Sequence, residues 1–270
     1  MLEVSTYPKP GLVTRYSNGS HEDMSLITFM MSSAVLGKAF QDLQDIGLAH
    51  DGTEAELFSK IRSYGVVAEQ ELLRVTKGIN TQRGILFAGG LVSAAAGYAM
   101  HMGWGKQKLL PIISRMTEGL VRKELAANDK LQTAGEKLYA EYGITGIRGE
   151  VEKGFPSVVN CGLPAMEEAF AKGASINDAL VHTLLTLMTV VEDSNVIWRT
   201  DMKTALEVKK IAQDILAKGS IFAKDGLDAI FAAEKYFISR RISPGGSADL
   251  LSVTISLYLL EHKEFPVDIF

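Results

Sequence analysis

Apolar positions along this chain recur with the 3.6-residue spacing of an α-helix, and almost no segment alternates in the strict manner of a half-buried strand. The pattern predicts an all-α fold of roughly ten helices, each of ordinary globular length. A helix is expected over about Met24–Ile46, with Asp23 as its cap and Gly47 as its stop. Leu26, Ile27, Met30, Met31, Ala34, Val35 and Leu36 supply its expected buried side. Thr53 followed by Glu56 is a capping box for a helix to about Thr76, and Ser175 with Asp178 opens another through Leu180, Leu184, Leu187 and Val191. The same spacing predicts helices near Gln82–His101, Lys108–Ala126, Leu131–Tyr142, Leu163–Ala171, Met202–Lys218, Leu227–Arg240 and Ser247–Glu261.

The helix near Gln82–His101 is unusual for Gly89, Gly90, Ser93, Ala94, Ala95, Ala96 and Gly97, residues that cost helix propensity but let a neighbouring helix come close. A central position is expected for it. No fixed-period repeat, Pro-rich linker or charge block divides the chain, so a single compact domain over 1–270 is the expected organisation.

Composition narrows the function classes. The chain has 270 residues, 47% of them hydrophobic, which excludes a disordered or low-complexity protein. Its 28 basic and 32 acidic residues give a formal charge of -4 without a long basic block, which argues against nucleic acid or an anionic membrane as partner. Anionic ligands would therefore need local pockets. The single cysteine, Cys161, cannot form an intrachain disulfide and is assigned to packing; no signal peptide opens the chain, and a cytoplasmic location is expected. The most apolar stretch, Ile85–Met100, is shorter than the roughly 20 residues a membrane span needs and is expected to be a buried helix.

Gly, Pro and charged residues concentrate in five connections: Glu3–Met24, Gly78–Gly84, Arg148–Pro156, Glu192–Arg199 and Ser243–Leu250. Rigid scaffolds place chemistry on loops, although such residues are also ordinary turn formers. The runs EVSTYPKPGLVTRYSNGSHEDM (Glu3–Met24), GINTQRG (Gly78–Gly84), RGEVEKGFP (Arg148–Pro156), HTLLTLMTVVEDSN (His182–Asn195) and SPGGSADLL (Ser243–Leu251) resemble, in order and spacing, the triphosphoribosyl-dephospho-coenzyme A synthases. The resemblance covers essentially the whole chain. Members of that family usually carry a further helix before the first motif, an Asp where this chain has Thr14, and Gly-rich sequence where it has Trp198-Arg199-Thr200. No acid role is therefore expected at position 14.

The resemblance implies an enzyme that moves the triphosphoribosyl group of ATP onto the ribose 2'-hydroxyl of 3'-dephospho-coenzyme A and releases adenine. The product would be a prosthetic-group precursor for the acyl carrier protein of citrate lyase or malonate decarboxylase, handed on by a separate transferase. A homodimer is allowed for. Departure of adenine builds oxocarbenium character on the ribose, and inversion at that carbon requires a base but no covalent enzyme intermediate. The leaving base wants a hydrogen-bond donor, and the triphosphate wants Mg²⁺, Arg or Lys and backbone N–H groups.

Glu150 is the first candidate base and Glu152 the second, both expected in a Gly-flanked loop free of helical constraint, with Arg148 pairing with these acids or binding phosphate. Asp193, at the end of an apolar helix where negative charge is unfavourable, is a candidate Mg²⁺ ligand; Asp249 is a weaker one, and Asn195 would bind sugar or ion. Two loops that lead into helices suit phosphate: one with Asn80, Thr81 and Arg83, the other with Gly245, Gly246 and Ser247. Lys9 adds mobile positive charge, His21 is a donor to substrate, and Tyr7, Arg15 and Asn18 could contact a nucleotide. His50, His101 and His182 are expected to be structural.

Two alternatives stay open at this point. A Mg²⁺-dependent nucleotide or ADP-ribose-type N-glycoside hydrolase would use the same carboxylates with water as acceptor. A non-catalytic helical binding protein would have little need of acids and glycines gathered at five connections.

Overall fold

In the computed structural model, which describes residues 1–126, 131 and 133–267, the chain is helical throughout, with no strand among the described residues. A short α1 (Leu2–Ser5) precedes α2 (Leu26–Leu48), α3 (Glu54–Val75) and α4 (Arg83–His101). Next come α5 (Leu109–Met116), α6 (Ala134–Tyr142) and α7 (Gly146–Glu152). The chain continues through α8 (Leu163–Ala171), α9 (Ile176–Val190), α10 (Ser194–Arg199), α11 (Met202–Ala217), α12 (Lys224–Ser239) and α13 (Gly245–His262). Position 132, inside the helix expected over Leu131–Tyr142, lies outside the described residues.

Contacts group these elements into two compact units, Met1–Leu26 with Pro156–Phe270 and Ile27–Phe155. Neither changeover carries a linker signature: one falls at the first residues of α2 and the other just after α7.

The unit that spans Ile27–Phe155 is built around α4, which is buried at Gly89, Gly90, Ala94, Ala95 and Gly97 among others. Its small residues do what their composition predicts. A Cβ added at Gly97 would stand 2.1 Å from the Gln44 carbonyl oxygen, and one at Gly47 would stand 2.1 Å from that of Ala94. The backbones of α2 and α4 therefore touch where only hydrogen atoms fit. This contact also corrects the expected face of α2: Ser32, Leu36, Ala39, Leu43 and Gly47 are buried, whereas Ile27, Met30 and Met31 are exposed. The helix starts at Leu26, which leaves Asp23 outside it. Among the described residues α4 is the one helix long and apolar enough to cross a membrane, and 67% of that stretch is buried in the protein.

The helix expected over Lys108–Ala126 is interrupted. α5 ends at Met116, Gly119 adopts φ +72°, and a π-helical turn follows over Arg122–Ala126. The capping boxes fare better, since Thr53–Glu56 forms its reciprocal pair and the Ser175 hydroxyl accepts the Asp178 N–H at 3.1 Å. A third box, Thr133–Glu136, opens α6. In the other unit α9 is buried on every side from Ala179 to Leu185 and is packed by α8, α11 and α13. An apolar helix without a polar face suits that place.

Candidate active site

Three of the five connections singled out in the sequence meet in the unit of Met1–Leu26 and Pro156–Phe270, and they meet on the short loop before α13. From the N-terminal segment, the Ser20 hydroxyl donates to the Ile242 carbonyl at 2.6 Å, and His21 Nε2 lies 2.8 Å from Ser243 Oγ. Gly11, at φ +74°, lets that segment lie flat on the loop, because a Cβ there would stand 2.2 Å from the Ile242 carbonyl oxygen.

The other side of the loop is held by Asp193. Its Oδ1 accepts the N–H groups of Asn195 at 3.1 Å, Val196 at 3.4 Å and Gly246 at 3.1 Å. Its Oδ2 accepts the Ser247 N–H at 2.8 Å and the Ser247 hydroxyl at 3.0 Å. Asp193 is thus the N-cap of α10 and, across 54 residues of sequence, a cap for α13 as well. Burial pushes its carboxyl above the usual carboxylate range, opposed by the bonds from Ser247, Gly246 and Val196.

Three expectations change here. Asp193 does not sit at an unfavourable helix C-terminus; it sits at two helix N-termini, whose partial positive charge favours it. The N–H groups of Gly246 and Ser247 are taken by Asp193, and that of Gly245 by the Ser243 carbonyl at 2.9 Å, so this loop does not offer a backbone cradle to phosphate. Asp193 also does not fit the expected Mg²⁺-ligand role, because both its oxygens are occupied by hydrogen-bond donors. Asp249 is half-buried in the first turn of α13, and no grouping of three or more His, Cys, Asp or Glu that could hold a metal occurs among the described residues.

Lys9 is likewise not mobile. It is 1% exposed, forms an ion pair with Glu3, and donates to the Glu3 carbonyl at 2.7 Å. Burial lowers its ammonium against the raising effect of Glu3. Thr14 serves its own turn by accepting the N–H groups of Tyr16 at 3.2 Å and Ser17 at 3.0 Å. Arg15 lies exposed over the Tyr16 ring, and Tyr16, Asn18, Asn195, Trp198 and Arg199 are exposed too. His21 is held below its usual pKa first by burial and then by Arg199, with Asp23 opposing. Its Nδ1 is buried and makes no hydrogen bond; the nearest acid oxygen, on Asp23, is 3.8 Å away.

In the other unit, Glu150 and Glu152 stand on α7 and not on a loop. The Glu152 carboxylate accepts the N–H groups of Gly119 at 2.8 Å and Val121 at 3.0 Å, which explains why the helix expected through Ala126 breaks there. Arg148 bonds Glu124 at 2.7 Å, the partner the sequence did not indicate. Glu150 is half-buried. In the Gly78–Gly84 loop, Asn80 is exposed, Arg83 pairs with Glu69 at 2.8 Å, and the Thr81 hydroxyl is buried without a hydrogen-bond partner. Gln82, unremarked in the sequence, fastens that loop to α2 by accepting the Ser32 hydroxyl at 2.5 Å.

The histidines expected to be structural have such partners, His50 against the Thr53 carbonyl, His182 against Ser220 and His101 beside Asp51.

Comparison with known proteins adds an independent line. A family model described as CitG, ATP:dephospho-CoA triphosphoribosyl transferase, matches residues 1–266. A relative from Malonomonas rubra, named a probable 2-(5''-triphosphoribosyl)-3'-dephosphocoenzyme-A synthase, is 44% identical over 98% of this chain and 86% of its own length. A synthase of the same name from Pectobacterium atrosepticum is 40% identical, over 95% of this chain and 85% of its own. A probable one from Vibrio cholerae is 38% identical, over 96% and 85%. No solved structure matches.

Proposed function

Because the chain belongs to the ATP:dephospho-CoA triphosphoribosyl transferase family, we propose that the loop before α13, with the two motifs that grip it, is where its nucleotide substrate is recognised. The enzyme's substrates are ATP and 3'-dephospho-CoA, and its reaction joins the triphosphoribosyl group to the 2'-hydroxyl and releases adenine. The observation that carries the proposal is the convergence itself. Residues 11–21, 193–196 and 242–247, far apart in sequence, are bonded into one unit that leaves Asn195, Arg199 and Arg15 exposed.

In this reading Arg15 and Arg199 meet the triphosphate through charge-assisted hydrogen bonds, which replace the backbone cradle that Asp193 has claimed. Asn195 offers its amide to the sugar. His21, neutral at neutral pH, is the proposed ring N–H donor toward the departing adenine. In the unit of Ile27–Phe155, the family motifs alone keep Glu150 as the proposed base and Asn80, Thr81 and Arg83 as proposed phosphate contacts. Glu152 is left with a structural task.

The bond from the anomeric carbon to the adenine nitrogen breaks with its electron pair leaving on adenine, which takes up a proton from solvent; the 2'-oxygen attacks from the opposite face, and its hydroxyl proton passes to the base. Magnesium enters this proposal only on the triphosphate of ATP, and no step passes through a protein-built metal site. The product is proposed to go, through a separate transferase, to the acyl carrier protein of a citrate lyase or malonate decarboxylase. A homodimer and a cytoplasmic location belong to the same reading.

Adenine release with and without dephospho-CoA tests the proposal. Release that requires the acceptor, with a product of the combined mass, is the expected result. Release into water alone would instead favour an N-glycoside hydrolase.

A further inference from the structure

We infer that Asp193 is a positioning residue for the transfer and not a ligand to a cation, fixing the backbone of Gly245–Ser247 by capping α10 and α13 at once. The inference rests on the reading that this loop belongs to the substrate site, and it assigns a task within it.

An ionised carboxylate has about four acceptor directions. Asp193 receives five donors, four backbone N–H groups and one hydroxyl. A cation ligand must turn lone pairs to the ion, and hydrogens already lie along them. The surrounding potential points the same way: two helix N-termini face the carboxylate, so its charge is answered, and a further cation would approach two positive helix ends. The residue is 5% exposed, enclosed by these donors.

Geometry adds that the grip is specific. A Cβ on Gly246 would stand 3.1 Å from Asp193 Cγ, so a glycine lets the α13 backbone come within bonding range. A Cβ on Gly245 would stand 2.9 Å from Asn195 Nδ2, which places the exposed Asn195 amide directly on the loop that Asp193 holds. The opposite side of that loop is fixed by Ser20 and His21. Asp193 therefore sets the distance between Asn195, Gly245 and the N-terminal motif, and an error of about 1 Å in such a constellation costs on the order of a hundredfold in rate.

The test compares wild type, Asp193→Asn and Ser247→Ala. The Asn variant turns an NH₂ onto N–H donors, while the Ala variant removes one bond and leaves the carboxylate. Expected are a fall in kcat of at least about tenfold for Asp193→Asn and a smaller fall for Ser247→Ala, with a lesser change in KM for ATP. The Mg²⁺ concentration for half-maximal rate should not move, and excess Mg²⁺ should restore nothing. Mn²⁺ binding to the nucleotide-free protein, read by electron paramagnetic resonance, should be equal in wild type and Asp193→Asn.

A raised Mg²⁺ midpoint with rescue by excess Mg²⁺, or Mn²⁺ sites lost in Asp193→Asn, overturns the positioning role and leaves the substrate site in place. Wild-type kcat and KM in both folded variants overturns the positioning role alone; the substrate-site reading fails separately if Arg15→Ala and Arg199→Ala leave KM for ATP unchanged. Should Asp193→Asn fail to fold, Ser247→Ala decides by the same kcat and Mg²⁺ readings.

Discussion

Ser247 gives Asp193 both of its donors, the backbone N–H at 2.8 Å and the hydroxyl at 3.0 Å, so one residue of α13 is tied twice to the carboxylate that opens α10. Loss of the hydroxyl removes one hydrogen bond to a buried charged group, a contribution of about 1.5–3 kcal/mol. Ser247→Ala should lower unfolding stability by that amount in a denaturant titration, with an unchanged m-value. A loss below a few tenths would show that the backbone bonds alone hold the loop.

Gly11 tests the opposite face of the same loop. Its φ of +74° strains any other residue, and an added Cβ would collide with the Ile242 carbonyl oxygen at 2.2 Å. Gly11→Ala should cost more than about 2 kcal/mol and reduce turnover, because the Ser20 and His21 bonds ride on that segment. Calorimetry paired with an adenine-release assay reads both effects; wild-type values in each would refute the account.

The buried Lys9–Glu3 pair predicts an asymmetric double-mutant cycle. Lys9→Met leaves the Glu3 carboxylate buried without its cation and should destabilise by about 3–5 kcal/mol. Adding Glu3→Leu removes the orphaned charge and should recover much of that loss. Additive losses would mean that the two side chains act independently.

His21 and His182 make stability fall as the solution is acidified. Both are held below the ordinary histidine pKa, with burial as the larger cause. As pH drops through the ordinary histidine range, the unfolded chain takes up protons that the folded chain refuses, so the unfolded state gains. Above that range both states are neutral and the effect is absent. Tm should therefore decline between about pH 7 and pH 5, and His21→Gln should flatten the slope while His182 maintains the remainder. An unaltered slope would remove His21 from the account.

The two glutamates of α7 should separate cleanly. Glu150→Gln should reduce turnover by about a hundredfold or more, the mark of a lost general base. Glu152→Gln should lower Tm, since its oxygens fasten Gly119 and Val121. If Glu150→Gln turns over at the wild-type rate, the base lies elsewhere.

Local signals in the sequence translated directly into structure. The Thr53–Glu56 box, the Ser175 cap and the small-residue run of α4 each depend on neighbours within one element. What escaped was set by distant partners. Ile27, Met30 and Met31 have helical spacing, yet α2 turns its Gly47 face inward because α4 presents Gly97 and the Ala94 carbonyl to it. The α5 break depends on Glu152, more than thirty residues away. For the candidate site, the motifs were legible as segments, but the sequence cannot show that Asp193 consumes the N–H groups of Gly246 and Ser247. A free loop and a claimed one read the same. Lys9 follows the same rule, since a surface cation and a buried one differ in sequence only in whether Glu3 folds back to meet it.

The glycine contact between α2 and α4 also bears on how the chain is made. Synthesis runs from the N-terminus, so α2 is made before α4. The nineteen-residue α4, long and apolar enough for a lipid bilayer to accept, is made after the α2 surface that meets it and before α5, which also packs on it. That surface is matched to it through bare backbone at Gly47 and Gly97. A bulky residue at either place would part the helices and leave the nascent α4 displaying its apolar length to chaperones and membrane insertion machinery.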